Sequence, residues 1–419
     1  MNRLIYTSYS PSTRRKDMHA NLKIYFQPWK WKKGGYPYLV EQWFAEKYGD
    51  DREYFVYNYA RSAMYQFFKA LKPKRGDQVI FQGFTCIAAV NPAVWAGFKP
   101  VYADISPETL AFSVASLAEK ITEKTKVIVY QHTLGVQGEI EAVAKLAKKH
   151  NIVLLEDCTH TLLTKHRGKL IGTYGDAAVF SFGRDKAISG VDGGVLVLNN
   201  NDYLDEVDAL YMDLEHPTRW WVWKELNFPI FWSKFKFFYK YSPKVAKLFH
   251  KISMTLGLVT RATTPEEKSG TLPSSVPRLL PNALAKLAYL QLLDLEALNY
   301  HRDSIAKVYK SRLKGNKYVE SFSIDENAAP LRFPALAYRK EHLLAFLSDH
   351  HIYLGDWYSD PISPKEANPK AVGYKSGECP SGEAVCDRII NLPTHINTSV
   401  EDANYIVDKI EEYYGVEAK

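Results

Sequence analysis

Three residues with reactive side chains lie at or just beyond the ends of short apolar runs in this chain. Asp157 follows the run 152–155, Ser181 lies at the end of the run 177–182, and Lys186 comes shortly after it. In an open parallel sheet, ligands bind at the carboxyl ends of the strands. An amine, a carboxylate and a hydroxyl gathered there can do chemistry on a bound ligand. A lysine beside glycines is also typical of a solvated turn, so Lys186 alone does not decide between the two interpretations.

The elements that must position these residues alternate along the chain. From about residue 76, apolar runs typical of strands are followed by amphipathic stretches typical of helices, which predicts a parallel sheet covered on both faces. The predicted strands are 78–81, 100–103, 127–131, 152–155, 177–182 and 194–198. Helices are predicted over 87–95 and over a stretch that has Ile140, Val143, Leu146 and Ala147 on one face.

Further patterns predict a hairpin and the limits of later helices. The runs 161–165 and 169–171 flank His166-Arg167-Gly168, which indicates a hairpin. A long helix is predicted from Pro281 to about Leu313, followed by a small α+β segment. The last helix is predicted to begin at a capping box, Thr398-x-x-Glu401.

Together the polar residues match the needs of pyridoxal 5′-phosphate (PLP). This cofactor needs a lysine amine for a Schiff base, and a carboxylate that keeps its pyridine nitrogen protonated. Its phosphate needs hydroxyl and backbone N–H groups at a helix N-terminus. The candidates for these roles are Lys186, Asp157, Ser181 and Ser62. His160, three residues after Asp157, is a candidate for covering the ring or holding its substituents.

Six stretches, found in order over most of the chain, carry a family resemblance: ARSAMYQFFKAL (60–71), GDQVIFQGFTCIAAVNPAVWAGFKPVYADI (76–105), VIVYQHTLG (127–135), LLEDCTH (154–160), GTYGDAAVFSFGRDKAISGVDGG (172–194) and INLPTH (390–395). In these stretches the chain resembles the DegT/DnrJ/EryC1/StrS family of sugar aminotransferases, which are fold-type I PLP enzymes. The stretches around Asp157 and Lys186 are the most specific.

The resemblance implies a role for each matching residue. Lys186 matches the lysine that carries PLP and moves the proton of the reaction, and Asp157 matches the partner of the pyridinium nitrogen. His160 matches a position that lies against the cofactor, and Ser181 matches a phosphate-binding serine.

Several positions depart from the family pattern. Arg61, Ser62 and Ala63 lie where family members have a Gly-Thr pair that holds the phosphate; Arg61 either adds a phosphate contact or turns outward. Cys86 replaces an aromatic residue that often stacks on the ring, and a polarizable sulfur stacks more weakly.

Two family motifs are altered. Val191-Asp192-Gly193-Gly194 replaces Gly-Glu-Gly-Gly. The Asn-x-Arg pair that reaches the partner subunit's site is missing from 277–280, where Arg278 or Asn282 is the nearest substitute.

Fold-type I membership implies a large domain with a mainly parallel seven-stranded sheet flanked by helices, and a small C-terminal α+β domain. It also implies a homodimer with active sites at the subunit interface. We expect an N-terminal arm and first helix over 1–52, the large PLP-binding domain over 53–213, a basic and aromatic insertion over 214–280, and the long helix with the small domain over 281–419.

The implied reaction moves an amino group, by family habit from glutamate, to a keto group on a nucleotide-linked sugar. Two alternatives remain open. A PLP-dependent sugar dehydratase would carry histidine in place of Lys186. A PLP-binding regulator or scaffold without turnover would fit the altered glycine motif and the missing Asn-x-Arg pair.

Composition and charge bear on which other classes of protein the chain could belong to. The net charge of +7 is modest and no Lys/Arg block is present, so we expect no nucleic-acid partner. The four cysteines form no CxxC pair, so neither a zinc site nor a disulfide framework is indicated and a reducing cytoplasm fits best. The first 17 residues lack the apolar core of a signal peptide, and no run of 18 apolar residues occurs.

A few other polar residues are weaker candidates. His132 is either a second layer behind the site or a core histidine with a satisfied partner. Asp104 and Asp176 are expected in turns or caps, and Cys379 and Cys386 in packing.

The stretch 214–261 has an unusual composition. Between His216 and Arg261 it contains twelve aromatic and nine basic residues, and Glu225 is its only acid. Rings and lysines together suit contact with the surface of an anionic membrane, where glycan assembly on lipid carriers would use nucleotide sugars. Alternatively, the aromatic residues pack on the core or on a dimer partner while the lysines face water.

Overall fold

A computed structural model of the chain describes residues 4–8 and 11–417. Residues 1–3, 9, 10, 418 and 419 of the predicted N-terminal and C-terminal segments lie outside it. The strands are β1 (Ile5–Tyr6), β2 (Glu53–Tyr57), β3 (Gln78–Gln82), β4 (Thr85–Cys86), β5 (Lys99–Ala103), β6 (Thr125–Gln131), β7 (Val153–Asp157), β8 (Lys165–His166), β9 (Lys169–Leu170), β10 (Ala177–Ser181), β11 (Gly194–Leu198), β12 (Val319–Ser321), β13 (Arg332–Ala337), β14 (Ile352–Tyr353), β15 (Ile362–Ser363) and β16 (Ile389–Pro393).

The α-helices are α1 (Arg15–Tyr25), α2 (Tyr36–Tyr48), α3 (Ala60–Ala70), α4 (Ile87–Ala96), α5 (Val114–Lys120), α6 (Ile140–Lys149), α7 (Leu204–Met212), α8 (Arg219–Tyr241), α9 (Pro243–Thr255), α10 (Pro265–Lys268), α11 (Asn282–Leu292), α12 (Leu295–Arg312), α13 (Lys340–Asp349), α14 (Pro380–Arg388) and α15 (Val400–Glu417). Among the described residues, none of the helices combines the length and the apolar character that crossing a bilayer requires.

The central sheet has seven strands in the order β2-β11-β10-β7-β6-β3-β5. Six strands of this sheet run parallel to one another, and β11 runs antiparallel to them. Successive residues of a strand point to opposite faces, and both faces of β7 are covered. Leu154 packs in one cluster with Ile140 and Val143 of α6, whereas Leu155 packs in another with Met64 and Phe67 of α3. The predicted fold class is therefore confirmed.

The C-terminal part is built on a second, antiparallel sheet in the order β12-β13-β16. Its core cluster draws on α12 through Ile305 and Tyr309 and on α15 through Ile406 and Ile410. The insertion contributes α8 and α9, which pack against each other, and α8 also contacts α1 and α11.

Three local expectations differ from the structure. The predicted single long helix is two helices, because the chain turns at Leu293 and Asp294, where the Asp294 carboxylate pairs with Arg14 and Lys16. The capping box of the last helix lies one residue later, since Ser399 and Asp402 exchange side-chain bonds with each other's N–H groups.

The third difference lies at the N-terminal end, where the stretch expected to hold one helix holds both α1 and α2. The predicted hairpin at His166-Arg167-Gly168 is confirmed. Its strands β8 and β9 pair antiparallel across Arg167 and Gly168, which both have positive φ.

Candidate active site

Lys186 lies in the loop 182–193, which connects β10 to β11. Its half-buried side chain lines a cavity of about 180 Å³ together with Gln131, Asp157 and Ser181, the last residues of β6, β7 and β10. The Lys186 Nζ lies 3.4 Å from Thr159 Oγ1, a long hydrogen bond. The sheet thus brings three of the predicted residues together at its carboxyl edge, where α/β folds bind their ligands.

The electrostatic surroundings of Lys186 differ from those of a solvated turn. Burial lowers the pKa of its amine to about 8, although the negative charge of Asp157 opposes the shift. At pH 7 about a tenth of such an amine is unprotonated, far more than for a lysine in water. Lys186 is therefore suited to attack a carbonyl carbon.

Asp157 is almost completely buried at the end of β7. One carboxylate oxygen accepts the backbone N–H of Thr159 at 3.0 Å. Burial raises the pKa of this carboxyl group, whereas the Lys186 cation and the Thr159 hydrogen bonds lower it. A buried carboxylate that has a single N–H donor keeps lone pairs for a further cation or N–H group.

The start of α3 forms another part of the cavity wall through Ala60 and Arg61. The helix approaches β11 closely here because residue 194 is glycine. A Cβ atom at Gly194 would lie 2.5 Å from Ala60 Cα, too close for any other residue. This contact explains one glycine of the altered motif. A helix N-terminus offers N–H groups and positive potential, so this wall favours an anion such as a phosphate.

Ser62 and Ala63 lie behind this wall. The Ser62 hydroxyl is fully buried and donates to Asn58 Oδ1 at 2.8 Å. The N–H groups of both residues bond to the Tyr59 carbonyl at 3.1 and 3.3 Å. Their proposed phosphate contacts would therefore have to replace these bonds, while Ser181 and the first residues of α3 already line the cavity.

Arg61 lines the cavity, but its guanidinium is engaged. It forms an ion pair with the buried Glu267 of α10 and lies over the Tyr59 ring at 3.6 Å from the centroid. Of the two expectations for Arg61, outward rotation into solvent is wrong, since its side chain is only 10% exposed. Its pairing with Glu267 neutralises charge that a phosphate contact would use.

Cys86 and His160 take different positions. Cys86 lines the cavity, and burial raises the pKa of its thiol. His160 is buried beside the lining: its Nδ1 accepts the Leu134 N–H at 3.1 Å, and its ring stacks on Trp357 and Tyr358. Burial lowers the pKa of His160 well below its usual range, so the ring is neutral.

Two aromatic residues of the cavity wall could not be predicted from the sequence. Trp357 and Tyr358 line the cavity, with the Trp357 ring centroid 5.4 Å from Lys186 Nζ and 3.6 Å from the Arg332 guanidinium. They lie about 170 residues from the lysine, outside the six stretches that carry the family resemblance. Arg184, two residues before Lys186, also lines the cavity. It was not predicted as a lining residue, although it lies within the family-like stretch 172–194.

A second cavity of about 580 Å³ continues from the first. Cys86, Lys186 and Trp357 belong to both linings. From there the second cavity extends to Phe231 of α8 and His250 of α9. The insertion therefore supplies a wall of the cleft that leads to Lys186.

The weaker candidates have structural partners. His132 is a buried histidine bonded to Glu156 at 2.9 Å. Asp104 accepts the N–H groups at the start of α14, and Asp176 accepts the Leu154 N–H at 2.9 Å. Cys379 and Cys386 are buried and free, as expected for packing residues.

Neither substitute for the Asn-x-Arg pair lines the cavity at Lys186. Asn282 is bonded within the chain to Tyr36 N and Lys30 O at 3.1 and 2.7 Å. Arg278 pairs with Glu215 at 3.6 Å, and its backbone bonds to Asn58.

A mainly parallel sheet covered on both faces, with a lysine and an aspartate at its carboxyl edge, matches the architecture of the fold-type I PLP-dependent transferases. The chain belongs to the DegT/DnrJ/EryC1/StrS aminotransferase family, whose model matches residues 13–214 and 268–411. It is thus a PLP-dependent aminotransferase. The family model leaves out 215–267, a range that includes α8 and α9.

Relatives with known names cover different shares of the chain. A pleiotropic regulatory protein of Geobacillus stearothermophilus is 26% identical over 344 residues, 81% of this chain and 79% of the relative. A GDP-perosamine synthase of Escherichia coli O157:H7 is 34% identical over 197 residues, 47% of this chain and 54% of the relative. The fold is similar to that of Helicobacter pylori PseC, an aminotransferase involved in the biosynthesis of pseudoaminic acid. That match has a TM-score of 0.75 and 20% identity over 99% of this chain and 100% of the other.

Proposed function

We propose that this enzyme transfers an amino group from glutamate to the keto group of a nucleotide-linked sugar. The observation that carries the proposal is the pair formed by Lys186, whose pKa is about 8, and the buried Asp157 in one cavity. Membership in a family of sugar aminotransferases supports a sugar as the acceptor.

The residues around the cavity fit PLP at its aldehyde, its ring nitrogen and its phosphate. Lys186 would bind the cofactor covalently, Asp157 would face the pyridine nitrogen, and Ser181 with the first residues of α3 would hold the phosphate. Once bound, PLP supplies a ring that withdraws electrons from the substrate carbon. Cys86 and Trp357 supply the non-polar lining between these groups.

Lys186 has a second role in the proposed reaction. Its Nζ, with a pKa of about 8, can take a proton from the substrate carbon and return it. The Trp357 ring centroid lies 5.4 Å from this nitrogen and forms one wall of its cavity. Burial raises the pKa of Asp157, and a cation beside it opposes that shift. Facing a protonated ring nitrogen, the Asp157 carboxylate would therefore hold the proton there.

The second cavity supports a nucleotide-linked acceptor. Its lining combines the cation Arg261 with the rings of Phe228, Phe231 and Trp232, and it also includes Lys268, which pairs with Glu366 of the same lining at 3.3 Å. Guanidinium and ammonium groups bind phosphate oxygens, and flat rings stack on a base or a sugar face. The cavity of about 580 Å³ has room for such a molecule next to Lys186.

Two half-reactions test the proposal. Glutamate alone, added to the PLP-loaded protein, should bleach the yellow absorption band and release 2-oxoglutarate. A panel of nucleotide-linked keto-sugars should then restore the band, with one member clearly fastest. A protein that binds PLP but keeps its band with glutamate would be a regulator or scaffold. Loss of a sugar hydroxyl without amino transfer would identify a dehydratase.

The proposal includes a homodimer in the cytoplasm. The four free cysteines fit a reducing compartment. If the partner subunit completes the phosphate site, light scattering should give the mass of two chains, and dilution to monomers should release PLP. Retention of PLP by a monomer would rule out the shared site.

A further inference from the structure

The helices α8 and α9 form a hairpin whose two sides differ in character. On the side toward the protein, Phe228 and Trp232 of α8 and His250 and Met254 of α9 line the second cavity. On α9, Ala246 and Ser253 are buried. The residues on the opposite side of each helix therefore face away from the protein.

A row of large apolar residues lies on the exposed flank of α9, about 100° around the helix from the buried Ala246 and Ser253. On α9 and just beyond it, Val245, Leu248, Ile252 and Leu256 are between 48% and 64% exposed. Their spacing of three and four residues aligns them along one stripe of a helix. Phe237 and Tyr241 at the end of α8 are exposed as well, with ring centroids 5.1 Å apart. We call these six residues the docking face.

A row of lysines runs beside the docking face. Lys244, Lys247 and Lys251 are exposed and precede the apolar residues of α9 by one position each, which places them about 100° around the helix. Lys234 and Lys240 are exposed on α8. Glu225, the only acid between 216 and 261, is buried against Arg184, so this surface has no acidic side chain of its own.

We propose that the docking face binds the surface of an anionic lipid bilayer. An apolar stripe beside lysines is the pattern of helices that lie in the membrane interface, because the stripe enters the headgroup region while the amines meet lipid phosphates. Contiguous exposed apolar residues on a globular protein mark an interaction site. Of the twelve aromatic residues of the segment, Phe228, Phe231 and Trp232 are buried, whereas Phe237 and Tyr241 belong to the docking face.

Charge argues against a second copy of the chain on this face. In a two-fold contact whose axis passes through this face, the lysine row would face another lysine row without a counter-charge. An anionic lipid surface would bury the apolar stripe and also supply the negative charge that the lysines lack.

Vesicle sedimentation tests this inference without using enzymatic activity, so its outcome is independent of the proposed reaction. The full chain should sediment with vesicles of phosphatidylglycerol and phosphatidylcholine at low salt, less so at high salt, and weakly with phosphatidylcholine alone. The triple variant Lys244→Gln, Lys247→Gln, Lys251→Gln should bind on the order of 100-fold more weakly. The double variant Leu248→Ser, Ile252→Ser should bind about tenfold more weakly or worse.

Matched controls remove the same groups elsewhere. Lys145→Gln, Lys148→Gln, Lys149→Gln removes three exposed lysines from α6, and Leu293→Ser, Tyr300→Ser removes two exposed apolar residues near the junction of α11 and α12. Both controls should bind vesicles like the original chain. Unfolding midpoints show whether each variant is folded.

Three results would overturn the inference. The first is an original chain that stays in the supernatant with anionic vesicles at low salt. The second is equal vesicle binding by the α9 variants and their controls. The third is a change of oligomeric mass in the Leu248→Ser, Ile252→Ser variant without lipid, which would identify the face as a contact between copies.

Discussion

Arg184 donates a hydrogen bond of 2.8 Å to the buried carboxylate of Glu225. The contact joins the loop that carries Lys186 to α8, which lies outside the family model. Arg184 also contacts Asp192 at 3.1 Å and lies 4.0 Å from the centroid of the Phe228 ring. A single buried cation therefore holds the lysine loop, its glycine-rich end and the insertion in one arrangement.

Removing this cation should destabilise the protein strongly. In Arg184→Met, Glu225 and Asp192 would remain buried without a counter-charge. Burial already raises the pKa of Glu225, and Arg184 opposes that rise. Removing one partner of a buried ion pair costs about 3–5 kcal/mol, so the free energy of unfolding in urea titrations should fall by about that amount at pH 9, where Glu225, with a pKa of about 8, is ionised in the original protein. The loss should be smaller at pH 7, where Glu225 is largely protonated.

Two comparisons make the result specific. The double variant Arg184→Met, Glu225→Leu removes the partner as well and should recover a large part of the loss. Arg167→Met breaks the exposed pair with Glu141 and should cost less than about 1 kcal/mol. Equal losses for Arg184→Met and Arg167→Met would contradict a stabilising role for the buried pair.

Lys186→Ala should abolish covalent attachment of PLP and reduce turnover by roughly 1000-fold or more, because both the nucleophile and the proton carrier are lost. Borohydride reduction of the original protein should fix the cofactor on the peptide that contains residue 186, which mass spectrometry identifies. Lys169→Ala is the control, since Lys169 is an exposed lysine of the nearby hairpin. A label on another lysine would show that the assignment of Lys186 is wrong.

The rate of PLP attachment to the apoprotein should depend on pH through the Lys186 amine. Its pKa is lowered to about 8, so the unprotonated fraction rises about tenfold per pH unit below that value and levels off above it. Stopped-flow absorbance after mixing apoprotein with PLP should show this midpoint near pH 8. A rate that keeps rising toward pH 10 would mean that the amine has the pKa of an ordinary exposed lysine.

The sequence was sufficient to locate residues whose position depends on local patterns. Asp157 and Ser181 are found because apolar runs of strand length mark the carboxyl edge, and Lys186 because it follows within a specific stretch. Trp357 and Arg332 reach the site from the C-terminal part of the chain, and no local pattern encodes that approach. Tertiary packing also decides details such as the helix break at Asp294, where two basic residues from the N-terminal region meet the carboxylate.

Composition was least informative for the insertion. Its aromatic residues lie in both environments, since Trp232 is buried and Phe237 is exposed only five residues later. A count of rings and lysines carries no information about which side of a helix faces the protein. That side is set by the cleft, which α8 and α9 share with Lys186 and Trp357.

Asp157→Asn separates binding of the cofactor from its activation. The amide has the size of the carboxylate and can still accept the Thr159 N–H, so PLP should remain attached to Lys186. It cannot hold a proton on the ring nitrogen, so turnover should fall by about 10²–10⁴-fold. Steady-state rates and the absorbance of bound PLP measure the two effects separately.

The same variant should shift the pH dependence of PLP attachment. The negative charge of Asp157 raises the pKa of Lys186, so its removal should move the midpoint below pH 8. Asp104→Asn is the matched control, because Asp104 binds the N–H groups at the start of α14 and is outside the cavity lining. If Asp157 were merely structural, the pH midpoint of PLP attachment would stay near 8 in both variants. Full turnover in Asp157→Asn would exclude a role for Asp157 at the ring nitrogen.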